Sequence, residues 1–251
     1  MEDIKANLHQ KMLHSIKMSI VNQKMGIAFS GGVDSSLLAK LSSDAGYDVT
    51  LLTIGFSGSH DIEFSQKIGK LLGYSHQIEE IDPNSFNHIS EEIRKVIDTD
   101  NLSWLENCIA FYYVSKLAQK IGLNSVLTAN GIDELFCGYN AYREALSDGP
   151  NRVSKLIESK IENEKNMMKS VNEVASKFDV KFLQPFLSDD FIDYAKKVPL
   201  HFKIKGTDDL LRKHVIRELA VAVGVPQQSA FKRKKAFQYG SLIHKTLMKS
   251  S

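Results

Sequence analysis

The sequence has 251 residues, of which 43% are hydrophobic and 25% are charged, and its net charge at pH 7 is +2. This length fits one large α/β domain or a domain with a helical extension. The near-neutral charge gives no sign of a polyanionic partner such as nucleic acid, and no apolar segment approaches the length of a membrane span. We therefore expect a globular protein that acts on small molecules.

The cysteines and the N-terminal segment bear on the cellular compartment. Cys108 and Cys137 are far apart and match no metal-binding or redox spacing. So few cysteines indicate a reducing compartment. Residues 1–22 mix charged and amide side chains with apolar ones, a pattern that differs from a signal peptide. We expect a cytoplasmic protein.

Strands and helices are predicted to alternate after a lead helix over residues 4–21. The predicted strands cover residues 25–29, 49–56, 75–81 and 125–129. The predicted helices cover residues 33–43, 61–72, 86–97 and 105–121, and a further helix begins near Asp133. The apolar run from Val49 to Phe56 is typical of a strand that is buried on both faces of a parallel sheet. The alternation predicts a doubly wound parallel sheet of the α/β class, with ligands bound beyond the carboxyl ends of its strands.

The character of the sequence changes near residue 140. Residues 151–177 are highly charged, with apolar side chains near helical spacing, which predicts helices packed beside the sheet. No linker rich in proline, glycine or serine separates this part from the rest. We expect a single domain over residues 1–251, with an α/β core over 25–140 and a helical C-terminal part over 141–251.

The most specific motif lies within Gly26–Leu38, where an apolar strand leads into a Ser-Gly-Gly loop and then a helix. A helix N-terminus presents unpaired N–H groups and a partial positive charge. Glycines allow an anion to approach the backbone closely. This arrangement predicts a site for phosphate or pyrophosphate. The groups that would hold it belong to Ser30, Gly31, Gly32, Ser35 and Ser36.

Asp34 gives this loop a second property. A carboxylate repels phosphate unless a cation lies between them, so Asp34 indicates Mg²⁺ bound against polyphosphate oxygens. The spacing of the loop differs from that of the Walker P-loop, which requires Gly-x-x-x-x-Gly-Lys-Ser/Thr.

Two later motifs also follow predicted strands. The segment Ile54–Asp61 could bind the adenosine part of a nucleotide through main-chain groups of Ile54 or Gly55. The segment Thr128–Tyr139 places Asp133 near the edge of the sheet that holds Asp34. Two carboxylates around one polyphosphate suit one or two Mg²⁺ ions. The alternative interpretation of Asp133 is ordinary negative charge at a helix N-terminus.

The Ser-Gly-Gly-x-Asp-Ser loop resembles that of the ATP pyrophosphatases, which cleave ATP between the α and β phosphates. The order of the three motifs is similar to that in the synthetase domain of asparagine synthetases, and the resemblance covers roughly residues 5–245. The family's Val-Pro-Phe-Leu-Asp, Leu-Arg and Arg-x-Lys-x-x-Phe elements have weaker counterparts later in the chain. These counterparts are Gln184–Leu187, Leu211–Lys213 and Lys232–Phe237.

The resemblance implies an activity and assigns roles by position. The family uses ATP and Mg²⁺ to adenylate the side-chain carboxylate of aspartate, and ammonia then displaces AMP. Asp34 and Asp133 would hold Mg²⁺. Lys234 would neutralise charge at the α-phosphate, or Lys235 if the register differs by one. The residues that would line the nucleotide site are Phe29, Ile54, Thr128 and Ala129, together with Gly55.

The sequence departs from the family pattern on the side that would receive the amine. Asn130 stands where the family has a glutamate that is thought to help deprotonate the amine, and asparagine cannot act as a general base. Glu134 and Tyr139 remain as candidate proton-transfer groups. Other departures are Ala129 and Cys137 for glycines, Leu183 for an arginine, and Ser188 for an aspartate.

The source of nitrogen and two other functions stay open. The glutamine-hydrolysing domain of common asparagine synthetases has no counterpart in the sequence, so we expect free ammonia, a glutaminase on a separate polypeptide, or another amine. The basic cluster over 232–235 keeps open a related enzyme that modifies tRNA. Asn130 favours a third reading, a nucleotide-binding subunit or regulator without catalysis.

Overall fold

The computed structural model describes residues 2–20, 22–233 and 237–250. Its strands are β1 (Lys24–Ala28), β2 (Asp48–Gly55), β3 (Ser75–Glu80), β4 (Ser125–Leu127) and β5 (Lys181–Leu183). The helices of the first half are α1 (Glu2–Ser19), α2 (Val33–Asp44), α3 (His60–Leu72), α4 (Pro83–Ile97), α5 (Leu102–Lys120), α6 (Ile132–Leu135) and α7 (Ala141–Ser147). Those of the second half are α8 (Pro150–Ser176), α9 (Asp189–Lys197), α10 (His214–Ala222), α11 (Gln227–Ala230), α12 (Phe237–Gly240) and α13 (Ile243–Ser250).

The five strands form one parallel sheet in the order β3-β2-β1-β4-β5. Ile27 of β1 pairs with Leu51 of β2 on one side and with Leu127 of β4 on the other. From β1 the chain proceeds outward to β3, and from β4 it proceeds to the opposite edge. This confirms the predicted doubly wound sheet, and its switch point lies between β1 and β4. Loops that follow these two strands diverge there and leave a crevice for a ligand.

Helices cover both faces of the sheet. Leu51 belongs to the hydrophobic cluster formed with α1, α2 and α10, whereas Leu52 belongs to the cluster formed with α4, α5 and α8. Because adjacent residues of a strand face opposite sides, both sides of β2 must be apolar. This explains why the sequence of β2 shows no alternation of polar and apolar residues.

The structure differs from the prediction at the fourth and fifth strands. β4 ends at Leu127, so Thr128 and Ala129 belong to the loop beyond it. β5 was not predicted, because three residues are too few to show a periodic pattern. Asn172 of α8 stabilises β5 by accepting a hydrogen bond from the backbone N–H of Phe182 at 2.8 Å.

The second half of the chain returns to the crevice. α10 and α11 pack against α2, and α12 packs against α3 and α5. Ser229 of α11 donates a hydrogen bond to the carbonyl oxygen of Gly31 at 2.7 Å. The helical C-terminal part therefore contributes directly to the walls of the crevice. None of the helices in the described part of the chain is long and apolar enough to cross a membrane.

Candidate active site

The loop between β1 and α2 has the geometry of an anion site. Gly31 adopts a φ of +74°, and a Cβ at this position would lie 2.9 Å from the ring of Phe64, so both conformation and space require glycine. Gly32 precedes α2 in an extended conformation without a side-chain cap. The first N–H groups of α2 therefore lack intrahelical partners, and the positive end of the helix dipole faces the crevice.

The crevice is a pocket between the loops that follow β1 and β4, the middle of α8 and the segments around α10 and α11. The predicted site residues that line it are Phe29, Ser30, Gly32, Asp34, Ser35, Thr128, Ala129, Asp133 and Tyr139. The predicted residues outside its lining are Gly31, Ser36, Ile54 and Gly55. Ser36 is fully buried and its hydroxyl oxygen lies 3.0 Å from that of Ser229, so its hydroxyl stabilises the loop from the interior.

Asp34 and Asp133 lie together at the pocket, as the order of motifs predicted, and a lysine joins them. The Nζ atom of Lys213 donates hydrogen bonds to Asp34 Oδ2 at 2.5 Å and to Asp133 Oδ1 at 2.8 Å. Only 1% of the Lys213 side chain is exposed. A buried ammonium between two carboxylates balances their charge, which burial would otherwise make very costly. We call the group formed by Ser30, Gly32, Asp34, Asp133 and Lys213 the phosphate end.

The backbone before α10 is shaped to deliver Lys213. Arg212 and Lys213 adopt φ values of +49° and +52°, a left-handed conformation that costs about 1–2 kcal/mol per residue without glycine. Asp209 stabilises this turn by accepting hydrogen bonds from the N–H groups of Leu211 and Arg212, both at 3.0 Å. Such backbone strain is frequently found at functional sites.

Arg212 holds the loop that follows α6, where Gly138 lies against the carboxylate of Asp133. Its guanidinium donates hydrogen bonds to the carbonyl oxygen of Gly138 at 3.0 and 3.3 Å. A Cβ at Gly138 would lie 1.8 Å from Oδ1 of Asp133, so only glycine leaves room for that carboxylate. Asp133 is thus held by the fold rather than by its own short helix.

The phosphate end fits a divalent cation that is shared with a polyphosphate. Asp34 Oδ1 is buried and has no hydrogen-bond partner among the described residues, so one carboxylate oxygen is available to a ligand. No group of three or more His, Cys, Asp or Glu side chains with the arrangement of a metal site occurs in the part of the chain that the structure describes. Mg²⁺ usually binds through one or two carboxylates, with water and substrate phosphates as its other ligands. Asp34 and Asp133 match that requirement.

A second part of the pocket is acidic and is organised by α6 and α8. Glu134 accepts hydrogen bonds from the Gly131 N–H at 3.0 Å and from the Tyr139 hydroxyl at 2.5 Å, one at each carboxylate oxygen. Burial, and then the charge of Glu134, hold the pKa of Tyr139 well above its usual value. Tyr139 is therefore a hydrogen-bond donor to Glu134 at neutral pH.

Glu164 of α8 completes this acidic end. Its Oε1 atom accepts a hydrogen bond from Asn130 Nδ2 at 2.5 Å, and only 7% of the residue is exposed. We call the group formed by Asn130, Glu134, Tyr139 and Glu164 the α8 end.

Sequence reasoning missed the roles of Lys213 and Glu164. Glu164 had a detectable signal, because it lies at helical spacing between Ile161 and Met168 on the apolar face of α8. A carboxylate at such a position is unusual enough to mark a candidate site. Lys213 lay within the resemblance to the Leu-Arg element, but its distance from Asp34 along the chain concealed the contact.

Basic residues after α11 form another wall of the pocket. Arg217 donates hydrogen bonds to the carbonyl oxygens of Ala230 at 2.5 Å and Lys232 at 3.0 Å, which fixes the start of this segment. Lys232 lines the pocket, with its ammonium above the ring of Phe64. Lys234, the predicted catalytic lysine, and its alternative Lys235 lie outside the described residues.

Comparison with known proteins identifies the family. The profile of the family described as "Asparagine synthase" matches residues 8–184, which is more than half of the chain. The chain belongs to the asparagine synthase family. This confirms the resemblance that the three motifs indicated.

Individual asparagine synthetases match most of the chain at low identity. "Putative asparagine synthetase (glutamine-hydrolyzing) 1" of Methanocaldococcus jannaschii is 27% identical, and the alignment covers 96% of this chain and 50% of that protein. "Asparagine synthetase B (glutamine-hydrolyzing)" of Escherichia coli is 25% identical, covering 94% of this chain and 45% of that protein. The chain thus spans about half the length of the curated relatives that it matches.

A solved structure outside this family shares the fold. NMN synthetase from Francisella tularensis superposes with a TM-score of 0.52 at 15% sequence identity, covering 94% of this chain and 77% of that chain. The likeness agrees with the predicted doubly wound α/β fold.

Proposed function

We propose that the chain is an amide-forming ligase that adenylates a carboxylate with release of pyrophosphate and then transfers the acyl group to ammonia or another amine. Aspartate is the proposed carboxylate, by analogy with the named function of the relatives. The observation that carries the proposal is the convergence of Asp34, Asp133 and Lys213 beside the N-terminus of α2. Carboxylates and a buried cation at an anion site suit a polyphosphate with its metal ion.

The phosphate end accounts for binding of the leaving pyrophosphate. The first N–H groups of α2 and the hydroxyls of Ser30 and Ser35 can donate hydrogen bonds to phosphate oxygens. The Thr128 hydroxyl is buried at the pocket and has no partner among the described residues, so it can contact the nucleotide. Phe29 and Ala129 line the space between these groups.

Charge stabilisation is the main contribution that this end makes to adenylation. As the substrate carboxylate attacks the α-phosphate, the bond to pyrophosphate breaks and negative charge accumulates on the leaving oxygens. Lys213 lies at the pocket, and Lys234 is proposed to act at the α-phosphate. Mg²⁺ held by Asp34 and Asp133 would supply further positive charge toward those oxygens.

The α8 end is proposed to receive the amine. Its polar groups come from α6, the loops before and after this helix, and α8, and they line the same pocket as the phosphate end. The hydroxyl of Tyr139 positions Glu134 by donating a hydrogen bond to it. A glutaminase on another polypeptide is the proposed source of ammonia where free ammonia is not used, since the relatives are named as glutamine-hydrolysing enzymes.

The test is the product analysis of one incubation with Mg-ATP, aspartate and ammonium. AMP, pyrophosphate and asparagine are expected together. AMP and pyrophosphate without asparagine would retain adenylation and require a different amine acceptor. ADP and phosphate would contradict the proposal. ATP binding without turnover would favour a nucleotide-binding subunit or regulator, the alternative that Asn130 supports because an amide cannot take up the proton.

A further inference from the structure

The contact between Asn130 and Glu164 brings a carboxylate close to the position where this chain lacks the glutamate of the family pattern. Asn130 stands where the resemblance places a glutamate, and its amide cannot accept a proton from an amine. Glu164 follows 34 residues later, on α8, and its Oε1 lies 2.5 Å from the Asn130 side chain. A carboxylate therefore reaches the same corner of the pocket from a different element of the fold.

The location of Glu164 on α8 is costly for the fold. Its neighbours on the buried face of the helix include Ile161, Met167 and Met168, and its own side chain is 7% exposed. Burial of an ion costs several kcal/mol before partners compensate for it. An apolar residue would suit this face better, so packing alone does not account for the glutamate.

The chemistry of the contact fixes the orientation of both side chains. An ionised carboxylate only accepts hydrogen bonds, so the NH₂ group of Asn130 must face Glu164. The amide oxygen of Asn130 is then directed away from this contact as a second acceptor. The pair therefore offers an amide oxygen and a carboxylate, both of which can accept hydrogen bonds from a ligand N–H group.

The other glutamate at the α8 end has a positioning role. Each carboxylate oxygen of Glu134 accepts a hydrogen bond, one from the Gly131 N–H and one from the Tyr139 hydroxyl. Both donors belong to the segment around α6, so they fix the orientation of this carboxylate relative to that helix. Glu134 therefore holds the start of α6 and the Tyr139 ring in place.

We propose that Glu164 accepts the proton of the attacking amine and that Asn130 orients this amine through its amide oxygen. The inference rests on the proposed function. The amine nitrogen attacks the acyl carbon of the adenylate, and a C–N bond forms. The C–O bond to AMP breaks, and AMP leaves with the electron pair. The proton that the nitrogen loses moves to the carboxylate of Glu164.

The experiment separates the two half-reactions in the variant E164Q, which keeps the size of the side chain. Aspartate-dependent exchange of pyrophosphate into ATP measures adenylation, and asparagine production from ammonium measures transfer. We expect exchange to stay within about three-fold of wild type while asparagine production falls about 100- to 1,000-fold, the range for loss of a general base. E162Q is the matched control, because Glu162 is exposed on the same helix and lies outside the lining of this pocket.

The double variant N130E/E164Q distinguishes catalysis from a structural role. It exchanges the amide and the carboxylate, so the hydrogen bond between the two positions can be retained while a base returns. We expect asparagine production to recover to within about ten-fold of wild type. This variant also keeps the test informative if E164Q alone fails to fold.

Different results would overturn the inference and the proposed function. Unchanged asparagine production in E164Q, a parallel loss of both half-reactions, or no recovery in N130E/E164Q would each refute the role of Glu164. Absence of pyrophosphate exchange in the wild-type chain would refute the proposed function itself. The half-reaction assay therefore tells the two failures apart.

Discussion

The phosphate end and the α8 end share one pocket but are built differently. At the phosphate end, the first turns of α2 and α6, which follow β1 and β4, each supply a carboxylate, and Lys213 joins them from the C-terminal part of the chain. At the α8 end, Asn130 stands in place of the family's glutamate, and the carboxylate that we propose compensates for it, that of Glu164, comes from a helix. The first end follows the family pattern closely, and the second departs from it.

In the proposed reaction, this difference separates the half whose residues follow the family pattern from the half whose residues depart from it. Binding a polyphosphate depends on backbone N–H groups, glycine conformations and fixed charges, which few other residues can supply. Accepting a proton requires only a carboxylate within reach, so another helix can supply it. The residue that accepts the proton at the α8 end can thus change without loss of the proposed chemistry, and substrate preference can also diverge at this end.

The strongest test of the comparison removes a carboxylate from the phosphate end. D34N and D133N should each reduce aspartate-dependent pyrophosphate exchange about 1,000-fold, because charge at the leaving pyrophosphate is no longer compensated. The control D44N changes an exposed residue at the other end of α2. Exchange at the wild-type rate in either site variant would rule out the proposed metal ligands.

Substitution of Lys234, which lies outside the described residues, should have the next largest effect on turnover. K234A should lower turnover about 100-fold and change the Kd for ATP by less than about three-fold, because the charge acts mainly in the transition state. K235A is the matched control and should remain close to wild type. A larger effect of K235A would move the catalytic role to Lys235, and a pure loss of ATP affinity would contradict the role at the α-phosphate.

Lys213 links the phosphate end to stability as well as to binding. K213M should destabilise the nucleotide-free protein by about 3 kcal/mol, since two buried carboxylates lose their partner. Mg²⁺ should restore part of that loss in K213M and have little effect on wild type, because the ammonium no longer competes for the carboxylates.

Thermal unfolding with and without Mg²⁺ measures both effects of this substitution. K40M is the control, since Lys40 pairs with the exposed Asp44 at the surface. Equal stability of K213M and wild type, or equal responses to Mg²⁺, would show that Lys213 does not neutralise the pair.

A smaller effect is expected at the α8 end from loss of one hydroxyl. Y139F should slow asparagine production about ten-fold and leave pyrophosphate exchange unchanged, because Glu134 loses a positioning hydrogen bond. Y47F serves as the control, since Tyr47 lies outside the lining of the pocket. A change in pyrophosphate exchange as large as the change in asparagine production would show that the two ends are not separable at Tyr139.

The smallest effect concerns the turn that delivers Lys213, and it depends on pH. Burial alone would raise the pKa of Asp209, but hydrogen bonds from the Arg212 and Lys205 N–H groups and contact with His214 lower it from 3.8 to about 2. The stabilisation that the ionised Asp209 gives the folded protein is therefore complete above pH 3.8, its pKa in the unfolded chain. It disappears as the pH falls through about 2, its pKa in the folded protein.

Urea unfolding at pH values between 3.8 and about 2 checks whether the protein loses stability as the Asp209 carboxylate is protonated. Wild type should lose stability as the solution is acidified across this interval, and D209N should lose less because its side chain does not titrate. The control D208N changes an exposed neighbour and should follow wild type. An identical acid dependence of D209N and wild type would contradict the role of Asp209.

Most of the fold could be predicted because it depends on local and periodic signals. The predicted strand over 49–56 coincides with β2 to within one residue at each end, since its length and apolar composition suit only a buried strand. β5 could not be predicted, because three residues carry no period and their pairing with β4 depends on the placement of α8. The predicted extension of β4 to Ala129 was wrong, since the chain leaves the sheet there to form the pocket.

The sequence by itself determined the phosphate loop, the pairing of Asp34 with Asp133 and the departure at Asn130. The loops that follow the two strands at the switch point of a doubly wound sheet border the same crevice, so motif order is sufficient for these residues. Only the tertiary structure decided the partners from distant segments, Lys213 and Glu164. Their contacts span 179 and 34 residues of sequence, respectively. Such contacts depend on how helices pack around the sheet, and no local pattern encodes that packing.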